Sequence, residues 1–149
     1  MQSHFCNRNL YKVMIKMNKL IKLIDFNLLG DERGSLVSLE GNVNLPFEIK
    51  RTYYIFGTKK DVARGFHAHK NLKQVAICIN GSCTMIMDNG SERTEIKLND
   101  PTQGIVIDTM QWHEMHDFSQ DCILLVLASD YYKEDDYIRN YEEFVKCVH

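Results

Sequence analysis

Hydrophobic and polar residues alternate in short runs along most of this chain, and turn residues separate the runs. From residue 19 onward the alternation predicts a series of β-strands, because side chains two residues apart share one face of a strand. Short strands at regular spacing are typical of an all-β sandwich or barrel. The predicted strands are Ile21–Asp25, Ser35–Leu39, Ile49–Phe56, Gly65–His69, Gln74–Ile79, Ser82–Asp88, Arg93–Leu98, Gly104–Ile107, Trp112–Phe118 and Cys122–Ala128.

Two Asn-Gly pairs, at 80–81 and 89–90, stand between predicted strands. Asn-Gly favours the positive φ angles of the tight turns that join antiparallel neighbours. We therefore expect one hairpin between Gln74–Ile79 and Ser82–Asp88, and a second between Ser82–Asp88 and Arg93–Leu98. After the last strand, apolar residues recur at helical spacing behind an acidic start, which predicts one terminal helix over Glu134–Lys146.

Composition places the chain among ordinary globular proteins. Its 149 residues suffice for one domain with a hydrophobic core, and its net charge of -2 argues against bulk binding to nucleic acid. Five cysteines without a CxxC pair indicate reduced thiols in a cytoplasmic protein. We find no apolar run of membrane-spanning or signal-peptide length, and a second plausible start lies at Met17. Residues 1–16 are therefore predicted to be a poorly ordered extension, and residues 17–149 a single domain.

The stretch 64–70, which reads Arg-Gly-Phe-His-Ala-His-Lys, contains the candidate chemistry. His67 and His69 would project from the same face of one strand. Imidazole is the side chain that titrates nearest to neutral pH, so such a pair suits proton transfer. Arg64 and Lys70 add positive charge, which indicates an acidic or phosphorylated small molecule as the substrate.

The spacing His67-x-His69, Gln74, Gly81 resembles the first motif of the cupin barrels. The segment Asp108–His113 partly resembles the second motif, and His113 matches its final histidine. The resemblance covers about residues 35–128 and implies a cupin-type jelly roll with the C-terminal helix against it. In metal-binding cupins these positions hold one ion, so His67, His69 and His113 are candidate ligands. Gln74 replaces the usual Glu, which removes the only anionic ligand, and we therefore expect no metal.

A longer series of matching segments extends along the chain: Asp31–Leu36, Arg51–Gly57, Arg64–Lys70, Gln111–Met115, Leu125–Ser129, Tyr131-Tyr132 and Asp136–Arg139. In this order the segments resemble the nucleotide-sugar 3,4-ketoisomerases of the cupin superfamily. The resemblance implies isomerisation of dTDP-4-keto-6-deoxyglucose to a 3-keto-6-deoxyhexose without a cofactor, on the route to 3-amino sugars of surface polysaccharides such as O-antigens and S-layer glycans. It also implies a homodimer that exchanges N-terminal strands.

The chemistry of such an isomerase suits the histidine pair. Moving a ketone from C4 to C3 requires a base for the C3 proton, a donor to C4 and a stabiliser of the developing oxyanion. Our hypothesis makes His69 the base and His67 the shuttle, although the exchanged roles fit the sequence equally well. Arg64 and Lys70 are candidates for binding the diphosphate, and Tyr53 is a candidate for lining the site.

The face on which C4 is reprotonated decides between galacto and gluco products. Arg33 together with His113 resembles the galacto-forming members, so we predict the galacto product. Three alternatives stay open. The chain could be a metal-dependent cupin enzyme that uses the three histidines, a cupin that binds sugar without turnover, or a related 3,5-epimerase.

Overall fold

The computed structural model describes residues 20–149. Those residues form twelve short β-strands, one 3₁₀ turn at Glu134–Asp136 and one α-helix, α1, at Tyr141–Val148. The strands are β1 Lys22–Asp25, β2 Leu29–Asp31, β3 Gly34–Leu36, β4 Arg51–Ile55, β5 Arg64–His69, β6 Gln74–Asn80, β7 Cys83–Asp88, β8 Arg93–Leu98, β9 Gln103–Ile107, β10 Trp112–His116, β11 Ile123–Ala128 and β12 Tyr137–Ile138.

Ten of the strands form two five-stranded antiparallel sheets, with the orders β1-β9-β6-β11-β4 and β12-β5-β10-β7-β8. The main core lies between the sheets. Ile105 and Leu124 of the first sheet pack there against Met85 and Met87 of the second, and all four are fully buried. The predicted all-β jelly roll with a short C-terminal helix is therefore confirmed.

One predicted hairpin is wrong and the other is confirmed. Strands β6 and β7 belong to different sheets, because β9 and β11 take both edges of β6 while β8 and β10 take both edges of β7. The turn at 80–82 carries the chain between sheets, and Ser82 N donates to Ser119 Oγ at 2.8 Å. Strands β7 and β8 do form the hairpin at 89–90, with Asp88 opposite Arg93.

The predicted helix over Glu134–Lys146 is wrong in its first half. Tyr137 pairs with His69 and Ile138 with Ala68, which makes this segment the edge strand β12 beside β5. Backbone pairing along an open sheet edge thus replaces the helix that the apolar spacing suggested. The helix begins only after Asn140, whose side chain caps it by accepting a hydrogen bond from Glu143 N.

A small hairpin of β2 and β3 stands apart from both sheets. The sequence predicted one strand at Ser35–Leu39 and missed β2, because the two segments are only three residues long. Leu29 and Leu36 are exposed on this hairpin. The predicted extension 1–16 lies outside the described residues. Within 20–149 no helix is long and apolar enough to cross a membrane.

Candidate active site

Strand β5 contributes both histidines of the sequence motif and is irregular where it does so. His67 lies opposite His113 of β10, but the next pair joins Glu114 to Gly65, so Phe66 is an extra, bulged residue with a φ of 57°. In a regular strand, Arg64 and His67 would face opposite sides. The bulge brings both of them to one cavity.

Gly65 makes the bulge possible. Its φ is 92°, which favours glycine, and a Cβ atom there would lie 2.9 Å from the carbonyl oxygen of His113. The close approach of β5 and β10 at this point places His67 and His113 side by side. A larger residue at position 65 would push the two strands apart.

The histidine cluster, defined as His67, His69 and His113, lies where β5 and β10 meet. The ring centroid of His67 is 4.8 Å from that of His69 and 4.4 Å from that of His113. One ring nitrogen of each histidine lies within 4.8 Å of the others. The structure thus brings together the three histidines that the sequence singled out.

The Nδ1 atom of each ring in the histidine cluster bonds away from the others. His67 Nδ1 meets the carbonyl oxygen of Gly65 at 3.0 Å, and His113 Nδ1 meets that of Gln111 at 3.2 Å. Because a carbonyl oxygen only accepts, both Nδ1 atoms must donate. The Nε2 atoms of these two rings are therefore left with their lone pairs.

Burial keeps the histidine cluster uncharged at neutral pH. Desolvation lowers the pKa of His67 and holds that of His113 well below its usual range. Burial and the neighbouring His67 lower the pKa of His69 to about 4. Neutral imidazoles can accept a proton, which is what a general base must do.

A cavity of about 540 Å³ opens beside the histidine cluster. Its guanidinium groups come from Arg51, Arg64 and Arg139. Arg139 is paired with Glu134 at 3.0 Å, whereas Arg51 and Arg64 make no ion pair among the described residues. Unpaired guanidinium groups in a concave site suit a diphosphate. The remaining lining residues are Tyr53, Ile55, Ala63, Gly65, Phe66, His67, Met115 and Tyr137.

The histidine cluster could also accommodate a metal ion. Three neutral imidazole nitrogens within 4.8 Å of each other suit a borderline ion such as zinc or iron. Such an ion would polarise a bound carbonyl group as a Lewis acid. Gln74, at the position of the usual carboxylate ligand, is instead directed to Tyr53, because its Nε2 donates to the Tyr53 hydroxyl at 2.8 Å.

The comparisons with known proteins identify the family of this chain. A family described as FdtA, WxcM-like, C-terminal matches residues 19–149, which is nearly the whole chain. The chain belongs to the FdtA family. A curated TDP-4-oxo-6-deoxy-alpha-D-glucose-3,4-oxoisomerase from Aneurinibacillus thermoaerophilus is 56% identical over 127 residues, covering 85% of this chain and 91% of that protein. The resemblance to the nucleotide-sugar 3,4-ketoisomerases that the sequence indicated is confirmed.

Solved structures extend the comparison. A mutant of the 3,4-ketoisomerase QdtA from Thermoanaerobacterium thermosaccharolyticum, in complex with TDP-4-keto-6-deoxyglucose, matches with 45% identity and a TM-score of 0.85, covering 89% of this chain and 96% of that one. A dTDP-4-dehydrorhamnose 3,5-epimerase from Bacillus anthracis matches with a TM-score of 0.71 over 83% of this chain and 81% of that one. At 15% identity, the epimerase shows only that the fold is shared.

Two predicted site residues of this FdtA-family chain lie away from the cavity. Lys70 is exposed and its Nζ donates to the carbonyl oxygen of Asp135 at 2.9 Å. Arg33 lies on the β2–β3 hairpin and pairs with Asp31 in solvent. The roles of both residues stay predictions, and a role for Arg33 requires that the hairpin reach a cavity.

Sequence reasoning also missed residues that the fold brings to the site. Arg51 and Arg139 line the cavity although neither was assigned a role. Tyr137 also lines it, and its ring centroid lies 4.9 Å from that of His67. Tyr137 was assigned to a helix on the strength of its apolar spacing. Arg51 could have been found, because it lies two residues before Tyr53 on β4 and therefore shares its face.

Proposed function

We propose that this chain is an isomerase that converts dTDP-4-keto-6-deoxyglucose to the dTDP-3-keto-6-deoxyhexose of galacto configuration. The observation that carries the chemistry is the cluster of neutral imidazoles at the cavity with the guanidinium groups of Arg51 and Arg64. Family membership and the curated relative at 56% identity support the ketoisomerase activity and its substrate.

The first chemical step is removal of the C3 proton, which the adjacent C4 ketone acidifies. His67 lines the cavity, whereas His69 is only 1% exposed and lies behind it. This difference in access favours His67 as the base that contacts the sugar and His69 as the partner that relays the proton, which is the exchanged form of our initial hypothesis. The C3 proton moves to an imidazole, and the electrons of the C–H bond form the enediolate.

The second step moves the hydroxyl proton from O3 to O4 and returns a proton to C4, which leaves the ketone at C3 and a hydroxyl group at C4. Arg51 and Arg64 line the cavity, and in our proposal they bind the diphosphate and hold the sugar against the histidine cluster. Tyr53 also faces the cavity, and burial raises the pKa of its hydroxyl, so it stays protonated and can donate a hydrogen bond to the developing oxyanion.

The galacto product depends in our proposal on His113 and Arg33. His113 is in contact with His67, but Arg33 lies on the outlying hairpin of its own chain. We propose that the protein is a homodimer in which the N-terminal strands are exchanged, so that Arg33 reaches the partner's cavity. Two features support this arrangement: the exposed leucines of the hairpin, and the edge of β4 that pairs with no strand among residues 20–149.

Proton NMR of the purified protein with dTDP-4-keto-6-deoxyglucose tests the activity. In D₂O with EDTA present, we expect a 3-keto sugar that carries deuterium at C4. In H₂O the proton delivered to C4 shows a small coupling to the C5 proton in the galacto product and a large one in the gluco product. Turnover that appears only when metal replaces EDTA would favour the metal-dependent enzyme. A spectrum that stays unchanged in both conditions would refute the isomerase.

Mixing two inactive or altered variants tests the exchanged dimer. In a His67→Asn protein every cavity lacks its base, and in an Arg33→Ala protein every hairpin lacks its guanidinium group. If hairpins are exchanged, a mixed dimer contains one cavity with both parts intact, so unfolding and refolding the mixture should regenerate the galacto product. Failure to regenerate it, in a mixture shown by mass spectrometry to contain mixed dimers, would exclude the exchange.

A further inference from the structure

Asp136 is a buried carboxylate in direct contact with His69. Its Oδ2 atom lies 3.1 Å from His69 Nδ1, and Asp136 is only 9% exposed. It does not line the cavity beside the histidine cluster, so it has no direct contact with a sugar bound there. Asp136 ends the 3₁₀ turn Glu134–Asp136, immediately before the strand that pairs with β5.

The remaining contacts of Asp136 hold its carboxylate in place. Oδ1 accepts from Asn71 N at 2.8 Å, and Oδ2 accepts a longer bond from Leu72 N at 3.3 Å. An ionised carboxylate only accepts hydrogen bonds, so the bond to His69 requires the proton to be on Nδ1. The other nitrogen, His69 Nε2, is buried and has no hydrogen-bond partner among the described residues.

We propose that Asp136 is a positioning residue that holds His69 in the tautomer with the proton on Nδ1 and the lone pair on Nε2. The Nε2 lone pair then points into the histidine cluster, where it can receive a proton from His67. The inference rests on the proposed isomerase for its catalytic consequence. The tautomer itself is a property of the free protein and does not depend on any substrate.

Asp136→Asn is the informative substitution, because it changes the charge and leaves the shape. The orientation that keeps the 2.8 Å bond from Asn71 N to the amide oxygen gives up only the longer bond from Leu72 N. In that orientation the amide NH₂ faces His69 Nδ1. Since NH₂ only donates, His69 must move its proton to Nε2 to accept that bond. A lone pair that was available to the cluster is thereby replaced by an N–H group.

The first measurement is ¹⁵N NMR of histidine-labelled protein without substrate, with the His69 signals assigned from a His69→Asn spectrum. We expect protonated Nδ1 in the wild type and protonated Nε2 in Asp136→Asn. Asp88→Asn is the matched control. Asp88 is a buried carboxylate at the end of β7, where it accepts hydrogen bonds from Gly90 N and the Tyr141 hydroxyl. It should leave the His69 tautomer unchanged.

The second measurement is steady-state kinetics of the same proteins. Loss of a carboxylate that orients a functional histidine reduces activity by about 10–100-fold. We expect that loss in kcat for Asp136→Asn, with KM little changed because Asp136 is outside the cavity, and partial rescue of kcat in Asp136→Glu.

The outcomes separate the inference from the proposed function. An Nε2-protonated His69 in the wild type, or an unchanged tautomer and kcat in Asp136→Asn, would overturn the role of Asp136 while leaving the isomerase intact. If the His69 tautomer changes as expected in Asp136→Asn but the wild type has no isomerase activity, the role of Asp136 is supported and the proposed function is refuted. If Asp136→Asn does not fold, Nε2-protonated His69 in the wild-type spectrum still refutes the inference.

Discussion

The burial of His69 makes the stability of the protein depend on pH below neutrality. The pKa of His69 lies at about 4 in the folded protein, against an ordinary value of 6.5, because burial and the neighbouring His67 disfavour its charged form. Between these two values the unfolded chain binds a proton at this position that the folded chain does not. The free energy of unfolding therefore falls as the pH drops below 6.5.

The size of the effect follows from the two pKa values. Each pH unit between them changes the free energy of unfolding by about 1.4 kcal/mol. His69 alone therefore lowers the free energy of unfolding by about 2 kcal/mol at pH 5 and by about 3 kcal/mol at pH 4. His67 and His113 act in the same direction, since burial lowers the pKa of each. Above pH 6.5 the contribution to stability is complete and changes no further.

Urea unfolding at pH 7.5 and pH 5.0, at one fixed protein concentration, measures this effect. We expect the wild type to lose about 2 kcal/mol more than His69→Asn between the two pH values. The same substitution at His149, which is exposed at the C-terminus, is the control and should retain the wild-type pH dependence. An equal pH dependence in the wild type and in His69→Asn would refute a buried, uncharged His69.

Three further predictions follow from the site and its support. His67→Asn should lower kcat by at least about 100-fold with the far-ultraviolet circular dichroism unchanged, because it removes a general acid–base group. Arg64→Ala should weaken TDP binding in calorimetry by about 10-fold or more, since it removes a charged partner of the diphosphate; unchanged affinity would remove Arg64 from the site. Phe144→Ala should lower the free energy of unfolding by about 3–5 kcal/mol, because Phe144 of α1 is fully buried against Trp112.

Much of the fold could be predicted because the local pattern and the tertiary structure agree. Strand β8 has the predicted bounds Arg93–Leu98, and alternation on this strand reflects one buried and one exposed face. The hairpin error arose because an Asn-Gly turn determines local geometry but does not determine which sheet receives the next strand. That choice was made by the competition for edges of β6, which involves β11, more than forty residues away.

The site was predictable to a similar degree. The spacing of His67, His69 and His113 identified the cluster, since motif spacing survives when the local backbone is irregular. Asp136 was missed because its role depends on an edge strand that replaced the predicted helix. The shared cavity of Arg64 and His67 could not be read from alternation, because it requires the bulge at Phe66.

The hydrogen bonds of the histidine cluster suit the proton transfer that we propose better than a purely structural role. A histidine that serves only packing satisfies both ring nitrogens, because an unpaired buried polar atom is costly. Here acceptors are provided for Nδ1 on all three rings, by Gly65, Asp136 and Gln111. The fold thus fixes each tautomer from outside, while the buried His69 Nε2 has no hydrogen-bond partner in the part of the chain that the structure describes. Stability is given up at the atom that receives the relayed proton in our proposal, so we expect the same histidines to govern both turnover and acid sensitivity.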